Sequence, residues 1–299
     1  MMEKELEQCH ICPRNCGVNR KEGKLGNCKC NANVKIALAS LHYFEEPCIS
    51  GTRGSGTVFF TGCNLHCCYC QNYEISQEGK GKEITVEHLA QIFLNQQNKG
   101  AENINLVTPT MYVYAIKQAI TIARQKGLII PIVYNTNGYE TVETIQQLKG
   151  YIDIYLPDFK YAFSSLAQEY SKTPDYVEIA KKAIMEMYKQ VGKPVIDEKG
   201  MLTKGIVIRH LILPNHITNT KHVLKWIKET FQDNVYVSIM AQYFPTYLAK
   251  QDPKLSRKLT RKEYQQVERY INTLNFKNGY MQELGEHEEE YVPKFDLSE

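Results

Sequence analysis

Three cysteines follow a short apolar run at a spacing that suits a metal cluster. Residues 57–72 read TVFFTGCNLHCCYCQN, so three residues separate Cys63 from Cys67 and two separate Cys67 from Cys70. Thiolates are the usual ligands of iron–sulfur clusters, and a [4Fe–4S] cube that only carries electrons takes four of them. Three thiolates leave one iron open for the amino and carboxylate groups of a substrate, as catalytic metal sites keep a position free. The spacing therefore predicts a catalytic cluster.

The neighbouring Cys68 offers a second register for this loop. Adjacent cysteines rarely both reach one cluster, and a free cysteine commonly packs as a small hydrophobic side chain, so we interpret Cys68 as a packing residue. Two alternatives for the whole loop stay open. One is a zinc knuckle, for which the following residues supply no fourth ligand at zinc-ribbon spacing, and the other is an iron–sulfur centre that only carries electrons.

A second group of cysteines occupies the N-terminal segment. All 10 cysteines lie before residue 71, and crowded thiols in a reducing compartment bind metal more often than they form disulfides. We predict a second site of four thiolates, made of Cys9, Cys12, Cys16 and Cys28, with Cys30 as a reserve ligand. Zinc and an auxiliary [4Fe–4S] cluster both accept this set, and reduced thiols without metal are the alternative.

Beyond residue 56, short apolar runs alternate with segments of helical periodicity. Such alternation predicts βαβ units around a parallel sheet whose strands are buried on both faces. We place strands at residues 57–61, 103–107, 130–134, 152–156, 205–213 and 235–240, and a capped C-terminal helix from residue 260. The predicted fold is α/β, with a loop-rich metal-binding segment (1–50) before a partial (β/α)6 barrel with a C-terminal helix and tail (51–299). A doubly wound open sheet would show the same pattern.

The composition limits the classes of partner. The 299 residues are 43% apolar and 23% charged with a net charge of +3, as in ordinary globular proteins. No basic stripe with interleaved aromatic residues is present, so nucleic-acid binding is not expected. No run approaches the roughly 18 apolar residues of a membrane helix, and the start MMEKELEQC lacks the features of a signal peptide. We therefore expect a cytoplasmic protein without a membrane partner.

Polar residues follow the predicted strands at their carboxyl ends, the edge that carries the chemistry in barrels and in open α/β sheets. We expect these residues to form a cofactor pocket: Thr108 after the second strand, Asn135 and Asn137 after the third, Asp158 and Lys160 after the fourth, and Gln242 after the sixth. For each residue taken alone, capping of a turn is the competing explanation. Arg209 and His210 are neighbours on the fifth strand, so only one of them is expected to enter the pocket.

The cysteine loop, with Tyr69 before its last cysteine and a strand before its first, resembles the radical S-adenosylmethionine (SAM) superfamily. The resemblance implies a [4Fe–4S] cluster and SAM as cofactors. In that superfamily the reduced cluster donates an electron to SAM, and the resulting 5′-deoxyadenosyl radical abstracts hydrogen from a substrate. The resemblance also implies that Tyr69 packs against the adenine.

Other segments resemble one family within it, the activating enzymes of glycyl radical enzymes such as pyruvate formate-lyase. These segments are NTNGY (135–139), DFK (158–160) and IRHLILP (208–214), and CPRNCGVNR (12–20) marks a subgroup. The resemblance implies an oxidoreductase in which Lys160 binds the methionine carboxylate of SAM and Arg209 belongs to the site. It implies a glycyl radical enzyme as protein substrate and a reduced flavodoxin- or ferredoxin-type electron donor.

The chain departs from that family at two places. Residues 107–110 (VTPT) stand where the activating enzymes carry a segment that binds the amino group of SAM, and residues 240–245 (MAQYFP) replace another family segment. A different protein or small-molecule substrate therefore stays open as an alternative.

Overall fold

The computed structural model describes residues 2–285 and 293–299. The acidic run at residues 286–290, expected from its sequence to be solvated, lies outside the described residues. Ten strands form one sheet: β1 (Val34–His42), β2 (Ser55–Phe60), β3 (Lys82–Ile84), β4 (Ile104–Val107), β5 (Ile132–Thr136), β6 (Ile154–Pro157), β7 (Val195–Ile196), β8 (Leu202–Leu211), β9 (Tyr236–Met240) and β10 (Gly279–Met281). Neighbours run β10-β9-β8-β6-β5-β4-β2-β1-β3, and β7 pairs β8 beside this path.

All six predicted strands are present, as β2, β4, β5, β6, β8 and β9, and they pair in parallel. One row of the register runs Val58, Leu106, Tyr134, Tyr155 and Ile206 across five of them. Because the strands are parallel and in line, their carboxyl ends meet at one edge. The α/β prediction with a partial barrel is confirmed, and the described strands form an open path rather than a closed ring.

Both faces of the parallel strands are buried, which explains their continuous apolar sequences. Tyr134 packs into the large core beneath the helices, whereas its neighbour Val133 packs with Ile154 and Val207 on the opposite face. The helices are α1 (Met2–Glu7), α2 (Pro47–Ser50), α3 (Tyr73–Ser76), α4 (Val86–Asn98), α5 (Val113–Gln125), α6 (Val142–Gln147), α7 (Ser164–Ser171), α8 (Tyr176–Val191), α9 (Ile217–Phe231) and α10 (Arg261–Leu274).

Helix α10 begins at the predicted capping box. The Thr260 hydroxyl accepts from the Glu263 N–H at 3.2 Å, and the Glu263 carboxylate accepts from the Thr260 N–H at 2.9 Å. Two N–H groups that the first helical turn cannot satisfy are thereby paired. The predicted C-terminal helix is confirmed, and it packs against α9.

Strand β1 is the main departure from the expected organisation. The first 50 residues are predicted to be loops, but Val34–His42 pair antiparallel with β2 on one side and with β3 on the other. The Ala39 N–H donates to the Ser298 carbonyl at 2.9 Å, so the end of the chain also lies along this strand. An antiparallel strand has no crossover helix after it, and that helix is the sequence signal that marks the other strands. The loop-rich part of the chain therefore ends at residue 33.

Candidate active site

The loop after β2 brings three thiols to the carboxyl edge of the sheet. Cys63, Cys67 and Cys70 all line one cavity of about 470 Å³. Cavities of this size hold ligands as large as cofactors. The loop is held by backbone hydrogen bonds, since the Cys70 N–H donates to the Cys67 carbonyl at 3.2 Å and the His66 N–H to the Ser171 carbonyl at 3.3 Å. The three sulfurs are thus presented from one fixed turn.

Each of the three sulfurs lies beside a polar side chain. The pairs are Cys63 Sγ with Asn137 Nδ2 (3.3 Å), Cys67 Sγ with Ser171 Oγ (2.9 Å) and Cys70 Sγ with Ser76 Oγ (3.2 Å). Burial, and after it the neighbouring Cys67 thiol, raises the pKa of Cys63 to about 12 and that of Cys70 to about 11. Three buried thiols at one place ionise only beside a compensating positive centre, which bound iron supplies. The donor set therefore fits an iron–sulfur cluster.

Cys68 does not line this cavity. Its N–H donates to the Tyr170 carbonyl at 2.8 Å, and its carbonyl accepts from the Ala249 N–H at 2.9 Å. Its partly buried side chain packs at the margin of the main core. The structure thus places Cys68 as a packing residue between neighbouring elements.

The structure brings the other predicted cofactor residues to the same cavity. Its lining includes Tyr69, Thr108, Asn135, Asn137, Asp158, Lys160, Arg209 and Gln242. Thr108 has a left-handed backbone with a φ of 57°, which is uncommon for a residue other than glycine and occurs at functional sites. Its N–H donates to the Asn135 carbonyl at 2.9 Å, so the turn after β4 is tied to the end of β5.

A partly buried charge network forms part of the cavity wall. Asp158 pairs with Lys160 Nζ at 2.6 Å and with Arg209 Nε at 3.0 Å. Burial opposes ionisation of Asp158, but the charges of Lys160 and then Arg209 hold the pKa of this carboxyl below its usual value. Burial also disfavours the Lys160 ammonium, yet Asp158 raises its pKa. All three groups are therefore charged at neutral pH.

His210 faces away from this network. It is fully buried, and its ring nitrogens contact the Phe159 carbonyl at 2.8 Å and the Thr220 hydroxyl at 3.0 Å. Burial lowers the pKa of His210 to about 4, so the ring is neutral at physiological pH. Of the neighbouring pair on β8, Arg209 lines the cavity, whereas His210 is in the interior and contacts Thr220 of α9.

Two acidic residues of the cavity escape sequence-based reasoning. Glu45 accepts from Arg209 Nη1 at 3.2 Å and from Asn105 Nδ2 at 3.0 Å. Glu46 is 8% exposed, and its Oε2 atom is buried without a hydrogen-bond partner. Both lie in the connection from β1 to α2, outside the strand ends that the sequence marks. A buried acceptor without a donor at a cavity wall is a place for a ligand donor.

A chain of hydroxyl groups leads from the cavity to a cysteine. Tyr69 lines the cavity with its ring, and its hydroxyl lies 2.6 Å from that of Tyr161. Tyr161 continues to Ser171 at 2.6 Å, and Ser171 reaches Cys67 Sγ at 2.9 Å. The ring position of Tyr69 and the sulfur of Cys67 are thereby held by the same contacts.

The N-terminal cysteines meet at a second, much smaller cavity of about 10 Å³. Its lining includes Cys9, Cys12, Cys16 and Cys28. Cys30 lines a different cavity and receives a hydrogen bond from the Tyr112 hydroxyl at 3.3 Å. In neither cysteine set, nor elsewhere among the described residues, do three His, Cys, Asp or Glu side chains stand close enough to hold a single metal ion.

Comparison with known proteins decides the family. The model of the radical SAM superfamily matches residues 57–203, which begin at β2 and contain the cysteine loop. An uncharacterised protein of Methanocaldococcus jannaschii, MJ0674, is 32% identical over 276 residues, covering 89% of this chain and 74% of that protein. The chain belongs to the radical SAM superfamily. Membership implies a [4Fe–4S] cluster and SAM as the cofactors of this radical SAM protein.

Solved structures support the same fold. SuiB of Streptococcus suis, solved with its precursor peptide SuiA, aligns with a TM-score of 0.51 at 18% identity, covering 74% of this chain and 46% of SuiB. The hydrogenase maturase HydG of Carboxydothermus hydrogenoformans aligns with a TM-score of 0.51 at 14% identity, covering 79% of this chain and 56% of HydG. The chain thus spans about half the length of these radical SAM structures. No helix among the described residues of this radical SAM protein is long and apolar enough to cross a membrane.

Proposed function

We propose that this protein is an enzyme that reductively cleaves SAM at a [4Fe–4S] cluster and so starts hydrogen abstraction from a substrate. The cluster ligands are Cys63, Cys67 and Cys70. The observation that carries the proposal is the shared cavity: the three thiols of one loop and polar residues from five strand ends line the same space of about 470 Å³. When bound, the reduced cluster supplies the electron that breaks a carbon–sulfur bond of SAM.

The residues of this chain bind and orient the cofactor in the proposed enzyme. One of the three N–H donors of Lys160 bonds Asp158. The other two are available to the carboxylate of SAM. Arg209 is held by Asp158 and Glu45, and its Nη2 donates to the Asn135 side chain at 2.6 Å, which fixes the amide of Asn135 at the cavity wall. Glu46 offers its unpaired oxygen to a donor on the bound ligand. Tyr69, which lines the same cavity, is the residue proposed to pack against the adenine.

The proposed substrate is a protein or a small molecule. Residues 107–110 and 240–245 depart from the activating enzymes of glycyl radical enzymes, and the family model that matches the chain is that of the radical SAM superfamily as a whole. We therefore propose hydrogen abstraction from a protein or small-molecule substrate and leave activation of a glycyl radical enzyme outside the proposal. The electron donor proposed for the cluster is a reduced flavodoxin or ferredoxin.

An anaerobic assay tests the proposal. The protein is reconstituted with iron and sulfide, incubated with SAM and dithionite, and analysed for 5′-deoxyadenosine by chromatography. We expect bound iron and sulfide together with the product. A protein that takes up zinc in place of iron would be the zinc knuckle, and one that binds the cluster without forming product would be an electron carrier; either result refutes the proposed activity.

A further inference from the structure

The four N-terminal thiols line one small cavity and have no role in the proposed reaction. Gly26 closes their cavity, and a side chain at this position would begin 3.5 Å from the Cys28 sulfur and 3.6 Å from the Cys16 sulfur. The Asn27 N–H donates to Cys16 Sγ at 3.2 Å. On the other side, the Cys9 N–H donates to the Val18 carbonyl at 3.1 Å and closes the first cysteine turn. The backbone thus shapes a pocket of four sulfurs.

Arg20 supplies an independent indication of negative charge in this pocket. Its side chain lines the pocket and is 1% exposed. Its guanidinium donates to the carbonyls of Met111 at 2.8 Å and Asn31 at 3.0 Å, and none of the ion pairs found among the described residues includes it. A buried cation is rarely left without a counter-charge. Four thiolates around a divalent ion or around an iron–sulfur cluster have a net negative charge, which gives Arg20 its counter-charge.

The segment also needs a source of cohesion. Residues 8–33 contain no helix or strand; Cys9 and Ile11 pack in a small apolar cluster with Tyr114, and Cys28 and Cys30 reach the main core. A bound metal can supply folding free energy to such a segment, because no preformed site exists in the unfolded chain.

The same segment is attached directly to the catalytic loop. Arg14, two residues after Cys12, donates from Nε to the Asn64 carbonyl at 2.8 Å. Asn137 Nδ2 bridges Asn64 Oδ1 at 2.8 Å and Cys63 Sγ at 3.3 Å. Asn64 and Asn137 therefore connect Arg14, two residues after Cys12, with a thiol of the catalytic cavity.

We propose that Cys9, Cys12, Cys16 and Cys28 bind a second metal centre through four thiolates, and that this centre holds Asn64 in place beside Cys63. Zinc and an iron–sulfur cluster share this ligand chemistry. As the side chains stand among the described residues, no three of these thiols are close enough to hold a single ion. The centre is closed by protein ligands and takes no substrate.

Metal analysis in a background without the catalytic cluster tests the proposal. In the full-length variant Cys63→Ala/Cys67→Ala/Cys70→Ala, we expect either about one zinc or about four irons with sulfide per chain. Adding Cys12→Ser and Cys16→Ser removes this metal, whereas adding Cys68→Ser, a change outside both cavities, retains it. A background variant that holds neither metal overturns the proposal, as does metal that survives the Cys12→Ser/Cys16→Ser change. Because this background cannot cleave SAM, the result does not depend on the proposed activity.

A second measurement covers the case in which the Cys12→Ser/Cys16→Ser variant fails to fold. In the folded background variant, the reactivity of thiols towards Ellman's reagent is measured before and after the metal is stripped. We expect four thiols to become reactive only after stripping. Equal reactivity before and after stripping would show that no metal protects them.

Discussion

The two cysteine pockets use the same ligand type in opposite surroundings. The three thiols of the catalytic loop line a cavity of about 470 Å³ together with charged and amide side chains. The four N-terminal thiols enclose about 10 Å³, with backbone and one buried arginine around them. The pocket with three thiols has the large cavity, and the pocket with four thiols has the small one. A site with a missing ligand and a large adjoining cavity suits chemistry, and a site with a full ligand set and little space suits structural support.

Replacing Cys63 with alanine is expected to have the largest effect on the catalytic pocket. Loss of one of only three protein ligands should prevent the catalytic cluster from forming, so that 5′-deoxyadenosine production falls to the level without enzyme. Cys68→Ala is the matched control and should retain turnover, because Cys68 lies outside the cavity. Retention of activity in Cys63→Ala with loss in Cys68→Ala would reverse the assignment of ligands.

The ionisation of Glu140 makes the free energy of unfolding depend on pH. Its Oε1 accepts from the hydroxyls of Thr110 at 2.6 Å and Thr136 at 2.5 Å, its Oε2 is unpaired, and burial raises its pKa from 4.5 to about 7. The folded state thus holds this proton more tightly than the unfolded chain. Its stabilising effect is complete below pH 4.5 and is lost as the pH rises through about 7.

The corresponding variant is Glu140→Gln, which cannot titrate. We expect the wild-type free energy of unfolding to fall by about 3 kcal/mol more than that of Glu140→Gln between pH 4.5 and about 8. Urea unfolding at the two pH values measures the difference. The exposed Glu268→Gln serves as control, and parallel pH profiles for wild type and Glu140→Gln would contradict the shifted pKa.

Lys160→Met should weaken SAM binding and leave iron content unchanged. A charge-assisted hydrogen bond to the carboxylate is worth roughly 1.5–3 kcal/mol, so the Kd should rise by about tenfold to a hundredfold. Titration of the reconstituted protein with SAM measures it, with the exposed Lys126→Met as control. If the affinity of Lys160→Met equals that of the wild type, Lys160 serves Asp158 alone.

The smallest effect is expected from Arg14→Ala, which cuts one link between the pockets. Its hydrogen bonds to the carbonyls of Asn64 and Lys172 are lost, at a cost of about 1–2 kcal/mol in the free energy of unfolding. The electron paramagnetic resonance spectrum of the reduced catalytic cluster should also change, since Asn64 bonds Asn137, and Asn137 in turn donates to the Cys63 sulfur. An unaltered spectrum, equal to that of the exposed-site control Lys24→Ala, would separate the two pockets.

The parts of the site that follow parallel strands could be predicted because they depend on local order. A polar residue at or just after the end of a buried strand reaches the carboxyl edge whatever the rest of the chain does, and Asn135, Asp158 and Gln242 are found there. The cysteine spacing is local in the same way. Fold and cavity lining therefore follow from short segments read one by one.

The parts that could not be predicted depend on long-range pairing. Glu45 reaches Arg209 only because β1 joins the sheet antiparallel to β2, a pairing that no pattern near residue 45 shows. The facing of Arg209 and His210 depends on which side of β8 the helices cover, and two adjacent polar residues look equivalent in the sequence. Contacts between the N-terminal loops and Asn64 likewise join residues 50 positions apart.

The hydroxyl chain from Tyr69 to Cys67 has a direction as well as a length. Each hydroxyl has one hydrogen to give, so the donors in such a chain all point the same way. A thiolate at Cys67 can only accept, and it makes Ser171 donate to sulfur, Tyr161 donate to Ser171, and Tyr69 donate to Tyr161. Ionisation of one sulfur thus sets the polarity of a phenol three groups away. The Tyr69 oxygen can then only accept a hydrogen bond from any further group. The direction of the Tyr69 hydroxyl dipole beside a bound ligand is therefore determined by the ionisation of Cys67.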